Sequence, residues 1–361
     1  MTKLVRRVAV AAAIALALPA AAFAGPVGER HLVTTDATAA LRDAERKDTL
    51  RITVWYPAAA SAQETSLDIG PPDKPLFKVG SDAQDAAFAD ARRRPVILFS
   101  HGFGGTARMM AWFGVPLART GYVVVAVDHP GNNGLDEMTA AGAIMFWDRP
   151  GDLAAALAKV EADPVVGRHL DIHRVGVAGF SAGGFTSLVS AGASVDFGRF
   201  VAFCRAHPAD GVCAPQKEFP LTLDQAQAAL AASPDLTAEA ARANGSHAIP
   251  EVKAAFAMAP AIVQALPPEG LAAMRVPVAI ILGDADPVAP PATNGLAAAK
   301  ANPRFELKLL PGVGHYDFLS TCTDAGRAVV PICTGKVPQD NTHKAAIEMA
   351  IAFFGRTLGK P

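Results

Sequence analysis

Apolar residues along this chain gather into short runs separated by glycine- and proline-rich breaks. Residues 95–100, 122–127, 175–178, 254–258 and 276–282 are such runs. Each has the length of a strand and is apolar on both faces, as expected of a strand covered on both sides in a parallel sheet. Residues 305–310 predict a further, last strand. Residues 51–56, Arg-Ile-Thr-Val-Trp-Tyr, alternate instead and stop at Pro57. That pattern predicts a half-buried strand near a sheet edge.

Helical patterns fall between these runs. Thr106 is placed to cap a helix over 108–120 that Gly121 terminates. Residues 150–162 carry Leu153, Leu157 and Val160 on one face. A helix of small residues follows the 175–178 strand through Ala191, another spans 294–300, and an amphipathic helix over 344–357 ends the pattern. Residues 58–94 read as a loop with one short helix, and 131–150 as an irregular loop. Strands alternating with helices predict an α/β fold: a mostly parallel central sheet with helices on both faces. Residues 194–252 break the alternation. They are Ala-rich and helical, with Pro208, Pro215, Pro220 and Pro234, and read as a cap insertion that shapes a pocket.

The 361 residues are 51% apolar and 19% charged, ample for a large core. A formal net charge of −1 gives no bulk electrostatic case for a nucleic-acid partner or an anionic membrane. Lys3, Arg6 and Arg7 precede an apolar run over residues 8–18, which Pro19 breaks before Ala22-Phe23-Ala24. This is the pattern of a cleaved export signal over residues 1–24, leaving 25–361 as the mature domain. Cleavage removes three basic side chains and no acid, so 33 Lys and Arg become 30 against 34 Asp and Glu. The expectation is a periplasmic or secreted protein with no stable membrane insertion. Four cysteines allow three pairings. Cys204 with Cys213 and Cys322 with Cys333 is the expected local pairing. The spacings lack C-x-x-C, which argues against a zinc site.

The chemistry centres on Gly179-Phe180-Ser181-Ala182-Gly183-Gly184. It lies between a buried strand and a helix, the setting of a G-x-S-x-G nucleophile elbow. A serine needs a base, and the base needs an orienting acid; on this architecture they follow in the order Ser, acid, His. Of the downstream histidines, His315 sits in a Gly-rich loop after the last strand. His247 lies in the insertion, and His343 reads as a cap or surface residue. Asp284 and Asp286 both follow the penultimate strand. Asp286 is the favoured acid, and Asp284 reads as a turn carboxylate. The amides of Ala182 and Phe103 are placed to meet an oxyanion, with His101 orienting the loop. Asp128 reads as a turn cap. No metal or cofactor enters this chemistry.

These motifs resemble the α/β-hydrolase superfamily. The chain is most similar to the serine esterases called predicted dienelactone hydrolases, including the platelet-activating factor acetylhydrolase-like group. The resemblance rests on Val54-Trp55-Tyr56-Pro57, Ser100-His101-Gly102-Phe103-Gly104, Asp148-Arg149-Pro150-Gly151-Asp152-Leu153, the Ser181 elbow, Gly283-Asp284-Ala285-Asp286 and Gly314-His315-Tyr316-Asp317-Phe318-Leu319. It implies an esterase acting through an acyl-enzyme on a small-molecule or lipid ester, with short acyl groups favoured. The elbow and the Phe103 amide also resemble secreted polyester hydrolases. Rival readings are a polyester or cutinase-like hydrolase or a lipase, an acyltransferase, peptidase or thioesterase, and a ligand-binding protein on a hydrolase fold. Acyl length and oligomeric state stay open.

Overall fold

The computed structural model describes residues 25–361, so the export-signal segment 1–24 lies outside the described residues. Eight strands form the body of the sheet: β1 (Val27–Thr35), β2 (Thr49–Pro57), β3 (Arg94–Ser100), β4 (Val123–Asp128), β5 (Leu170–Phe180), β6 (Val252–Met258), β7 (Val278–Gly283) and β8 (Glu306–Leu310). Their spatial order is β8-β7-β6-β5-β3-β4-β2-β1, with the short strands Ser81–Gln84 and Thr65–Ser66 added beyond β1. From β4 to β8 every pairing is parallel; β1 pairs β2, and β2 pairs β4, antiparallel.

The continuous apolar runs follow from this burial. Along β3, Val96 and Leu98 enter one core layer while Ile97 and Phe99 enter the other. Strand side chains alternate faces, so both sets must be apolar. The first layer is covered by α2 (Arg149–Glu161), through Leu153, Leu157 and Val160, and by α3 (Ala182–Ser190). The second is covered by α1 (Ala111–Arg119) and by the last long helix (Gln339–Thr357), through Phe353 and Phe354. Thr106 Oγ1 accepts from the Met109 amide at the entry to α1. Gly121 closes that helix at φ +115°, a conformation that favours glycine.

Several expectations need correction. The strand expected near an edge, β2, lies inside the sheet, because β1 pairs along its whole length from Val27 opposite Pro57 to Thr35 opposite Thr49. Residues 58–94 hold three short strand pieces, Thr65–Ser66, Phe77–Lys78 and Ser81–Gln84, and no helix. The irregular stretch 131–150 contains a helical turn, Ala140–Ile144, capped by Thr139 through the Gly142 amide. The last helix begins five residues before the expected start.

Residues 194–252 leave and rejoin the body at a small antiparallel pair, Ser194–Val195 with Gly245–Ser246. Three helices lie between: α4 (Phe197–Ala206), α5 (Leu223–Ala231) and α6 (Pro234–Ala240). Cys204 is bonded to Cys213 inside this insertion, and Cys322 to Cys333 near the end of the chain. Among the described residues no helix is long and apolar enough to cross a membrane.

Candidate active site

Strand β5 runs into α3 through a single residue, Ser181, at φ 57° and ψ −118°. A non-glycine residue rarely holds a positive φ, and the surroundings here enforce it. The Ser181 amide donates to the Met258 carbonyl, and the Ser181 carbonyl accepts from the amides of Phe185 and Ala261. The flanking glycines have no room for a side chain. A Cβ on Gly183 would sit 1.9 Å from the Ser100 carbonyl oxygen, and one on Gly179 2.2 Å from the Gly183 oxygen. The turn therefore holds Ser181 at the C-terminal end of the sheet, at the first turn of a helix.

His315 stands on a short 3₁₀ turn, His315–Phe318, after β8. Its Nε2 is 2.8 Å from Ser181 Oγ, and its Nδ1 is 2.6 Å from Asp286 Oδ2. The other Asp286 oxygen accepts from the amides of Val288 and Ala289, both at 2.8 Å. All three side chains are buried. With the ring neutral, Nδ1–H donates to the carboxylate and Nε2 accepts from the serine hydroxyl. Asp284 lies outside the group, with Oδ1 accepting from the Gly312 amide. His247 contacts the Ala243 carbonyl within the insertion. His343, expected as a cap or surface residue, is buried instead. It stacks on Trp112 at 3.8 Å between centroids and bonds the Leu319 carbonyl, and burial pushes its pKa down to about 4.

The loop after β3 crosses in front of Ser181. A Cβ on Gly102 would meet the Phe180 ring at 2.9 Å and Ser181 Cβ at 3.4 Å. This brings the Gly102–Phe103 peptide beside the elbow, across from the Ala182 amide that opens α3. Asp128 caps the turn leading into α1 by accepting from the Ala107 amide. Burial raises its pKa, with Arg51 opposing that shift.

Beneath this loop lies a buried polar network; the sequence singled out His101 and the Asp148–Leu153 motif separately, but not their meeting with Arg42 and His129. Ser100 Oγ is 2.8 Å from His129 Nε2, and His129 Nδ1 is 2.7 Å from Asp152 Oδ2. Arg42 donates to both Asp152 oxygens, at 2.8 and 2.7 Å. The backbone amide of His129 donates to His101 Nε2, which leaves His101 Nδ1–H to donate to the Gly102 carbonyl at 2.6 Å. Burial, with nearby positive charge, holds both imidazoles well below the ordinary histidine range, consistent with these neutral tautomers. Arg149 Nη1 donates to the His101 carbonyl at 2.9 Å, and Nη2 to the Gly102 carbonyl at 3.3 Å. Burial pulls Arg149 down to about 9, which leaves it charged at neutral pH. A further sequence signal was the charge of Arg149 and Asp152 on the apolar face that α2 buries.

A half-open cavity of about 130 Å³ opens onto Ser181 and Ala182. Phe103, Ile144 and Phe146 line it from the body, and Phe197, Phe200, Phe219 and Leu221 from the insertion. A second, more polar hollow lies on the other side of His315, with Lys217, Tyr316 and Lys336 in its wall.

The alpha/beta hydrolase family profile matches residues 96–331, which run from β3 to just short of Cys333. A solved ferulic acid esterase from Streptomyces cinnamoneus superposes with a TM-score of 0.58 over 92% of this chain and 90% of its own, at 19% identity. At that identity the likeness is one of fold. No curated protein matches the sequence. The profile covers well over half of the chain, and its span holds the elbow, the acid turn and the histidine loop: the chain belongs to the alpha/beta hydrolase family.

Proposed function

We propose that this protein is a serine carboxylester hydrolase that works through an acyl-enzyme at Ser181. The observation that carries the reading is the buried Ser181–His315–Asp286 chain of hydrogen bonds at the mouth of an apolar cavity. As Ser181 Oγ attacks the ester carbonyl carbon, its proton passes to His315 Nε2. Asp286 stabilises the imidazolium that forms. The carbonyl oxygen becomes an oxyanion that accepts from the amides of Ala182 and Phe103. Collapse breaks the bond to the alcohol oxygen, which leaves with the proton from His315. Water, deprotonated by His315, then cleaves the acyl-enzyme and frees Ser181.

The cavity supports an apolar acyl group, and the hollow beside His315 supports exit of the alcohol. Within this reading, residues 194–252 act as the substrate cap. Residues 1–24 act as an export signal, and both disulfides fit a periplasmic or secreted protein. Short-acyl esters, including phospholipids of the acetylhydrolase-like kind, are the first substrate class. A second class is favoured by the rings of Phe103, Phe146, Phe197, Phe200 and Phe219 around the cavity. These suit an aromatic acid, as in the ester named for the structural neighbour.

Initial rates on p-nitrophenyl esters from acetyl to palmitoyl, and on methyl ferulate, test both classes. A rate on short or aryl esters that vanishes in a folded Ser181→Ala variant supports the proposal. Wild-type rates in that variant would refute it.

A further inference from the structure

We propose that Arg149 is a positioning residue for the oxyanion hole, acting through the peptide plane between Gly102 and Phe103. The inference rests on the hydrolase reading above and deepens it. A trans peptide holds its C=O and N–H antiparallel in one plane. Whatever fixes the Gly102 carbonyl therefore aims the Phe103 N–H. That carbonyl accepts from three donors: His101 Nδ1 at 2.6 Å, the Gly105 amide at 3.2 Å and Arg149 Nη2 at 3.3 Å. The same guanidinium donates its other arm to the preceding carbonyl, of His101, at 2.9 Å. A planar fork that grips two successive carbonyls fixes a backbone turn in a way one ammonium cannot.

The arrangement is costly unless it serves something. Arg149 is 2% exposed, and its hydrogen bonds go to neutral backbone oxygens. The buried carboxylate of Asp152, on the same helix, spends its oxygens on Arg42 and His129. Donors on a carbonyl polarise the peptide and strengthen its N–H as a donor. A fixed positive charge under a dry site also favours negative charge developing above it. His101 completes the clamp. Its ring is locked from behind by the His129 amide, and His129 is locked by Ser100 and Asp152.

The test uses the full-length mature protein with Arg149→Met, which removes the charge, and Arg149→Lys, which keeps charge and stem but loses the fork. The readouts are melting temperature, kcat, KM, fluorophosphonate labelling of Ser181, and the inhibition constant of a trifluoromethyl ketone, which binds as a tetrahedral oxyanion. Loss of one oxyanion donor lowers kcat by about 10²–10³. Arg149→Met is expected to approach that loss, with KM within about threefold and Arg149→Lys intermediate. The ketone's inhibition constant should rise by the same factor as kcat falls, a proportion that mere loosening of the fold does not produce. If Arg149→Met does not fold, Arg149→Lys carries the comparison. A folded variant with kcat within about threefold of wild type overturns the inference, as does a kcat loss that leaves ketone binding unchanged. If Ser181 in the wild type takes no label, the hydrolase reading itself fails. A labelled Ser181 beside unaffected Arg149 variants defeats only the clamp.

Discussion

Replacing Asp286 by Asn should invert the His315 tautomer. Asp286 Oδ1 accepts two backbone N–H groups, from Val288 and Ala289 at 2.8 Å each. An Asn there must keep its carbonyl oxygen on those donors, because an NH₂ would face two N–H groups. Its NH₂ then faces His315 Nδ1, where the wild-type carboxylate sits at 2.6 Å. The ring avoids a donor–donor contact only by carrying its proton on Nε2. That nitrogen faces Ser181 Oγ at 2.8 Å and can no longer take the serine proton. In a Ser–His–Asp template this inversion lowers kcat about 10⁴-fold, or roughly 5.4 kcal/mol on the barrier. The isosteric side chain keeps its backbone bonds, so the melting temperature should hold. The assay is kcat on p-nitrophenyl butyrate with active-site titration. Asp284→Asn is the control: it sits two residues away, facing Gly312, and should stay within about threefold, an ordinary surface effect. A folded Asp286→Asn enzyme within about tenfold of wild type refutes the reasoning.

Other tests follow from separate parts of the structure. Gly183→Ala places a methyl 1.9 Å from the Ser100 carbonyl, against rigid backbone, so the elbow must distort; soluble yield and activity should both collapse. Normal activity in this variant would show that the close approach does not hold in solution. Asp148 is buried and its pKa is pushed up to about 7, chiefly by burial, with Glu239 and Asp152 adding to it against Arg42. A raised acid binds its proton in the folded state while the unfolded chain releases it, so wild-type stability falls as pH rises from about 4 to 7. The melting-temperature advantage of Asp148→Asn should grow across that window and level off above it; a constant difference would contradict the shift. Replacing both Cys204 and Cys213 by Ser removes a bridge between residues nine apart, worth about 2–3 kcal/mol by loop closure. Both cysteines touch the cavity wall, so KM for bulky esters should rise with the loss of stability, and unchanged KM would detach the insertion from substrate binding.

Burial on both faces of a parallel sheet made most strands readable, since residues 95–99 and 123–127 had nowhere to place a polar side chain. The elbow was readable for a steric reason: only Gly179 and Gly183 fit its contacts. The order of serine, acid and histidine reflects where successive strands end. Strand β1 escaped notice because its sequence carries Glu29, Arg30 and His31. Glu29 is nevertheless buried, accepting from Trp55 Nε1 at 2.7 Å, and that partner lies 26 residues away. Arg42, His129 and the Arg149–Asp152 turn of α2 come from three separate segments, so no local pattern announced their meeting. His343 looked like a helix start because the turn before it is polar, whereas the ring is held by Trp112 from another helix.

Among the described residues stand two Ser–His–Asp sets with similar distances, Ser181–His315–Asp286 at the cavity and Ser100–His129–Asp152 beneath it. Ser100 is fully buried, whereas Ser181 opens onto the cavity. The most direct measurement is therefore peptide mapping by mass spectrometry after treatment with a fluorophosphonate. The account predicts a single adduct on the peptide carrying Ser181, absent in Ser181→Ala. An adduct on Ser100, or none on a folded and active enzyme, would contradict it.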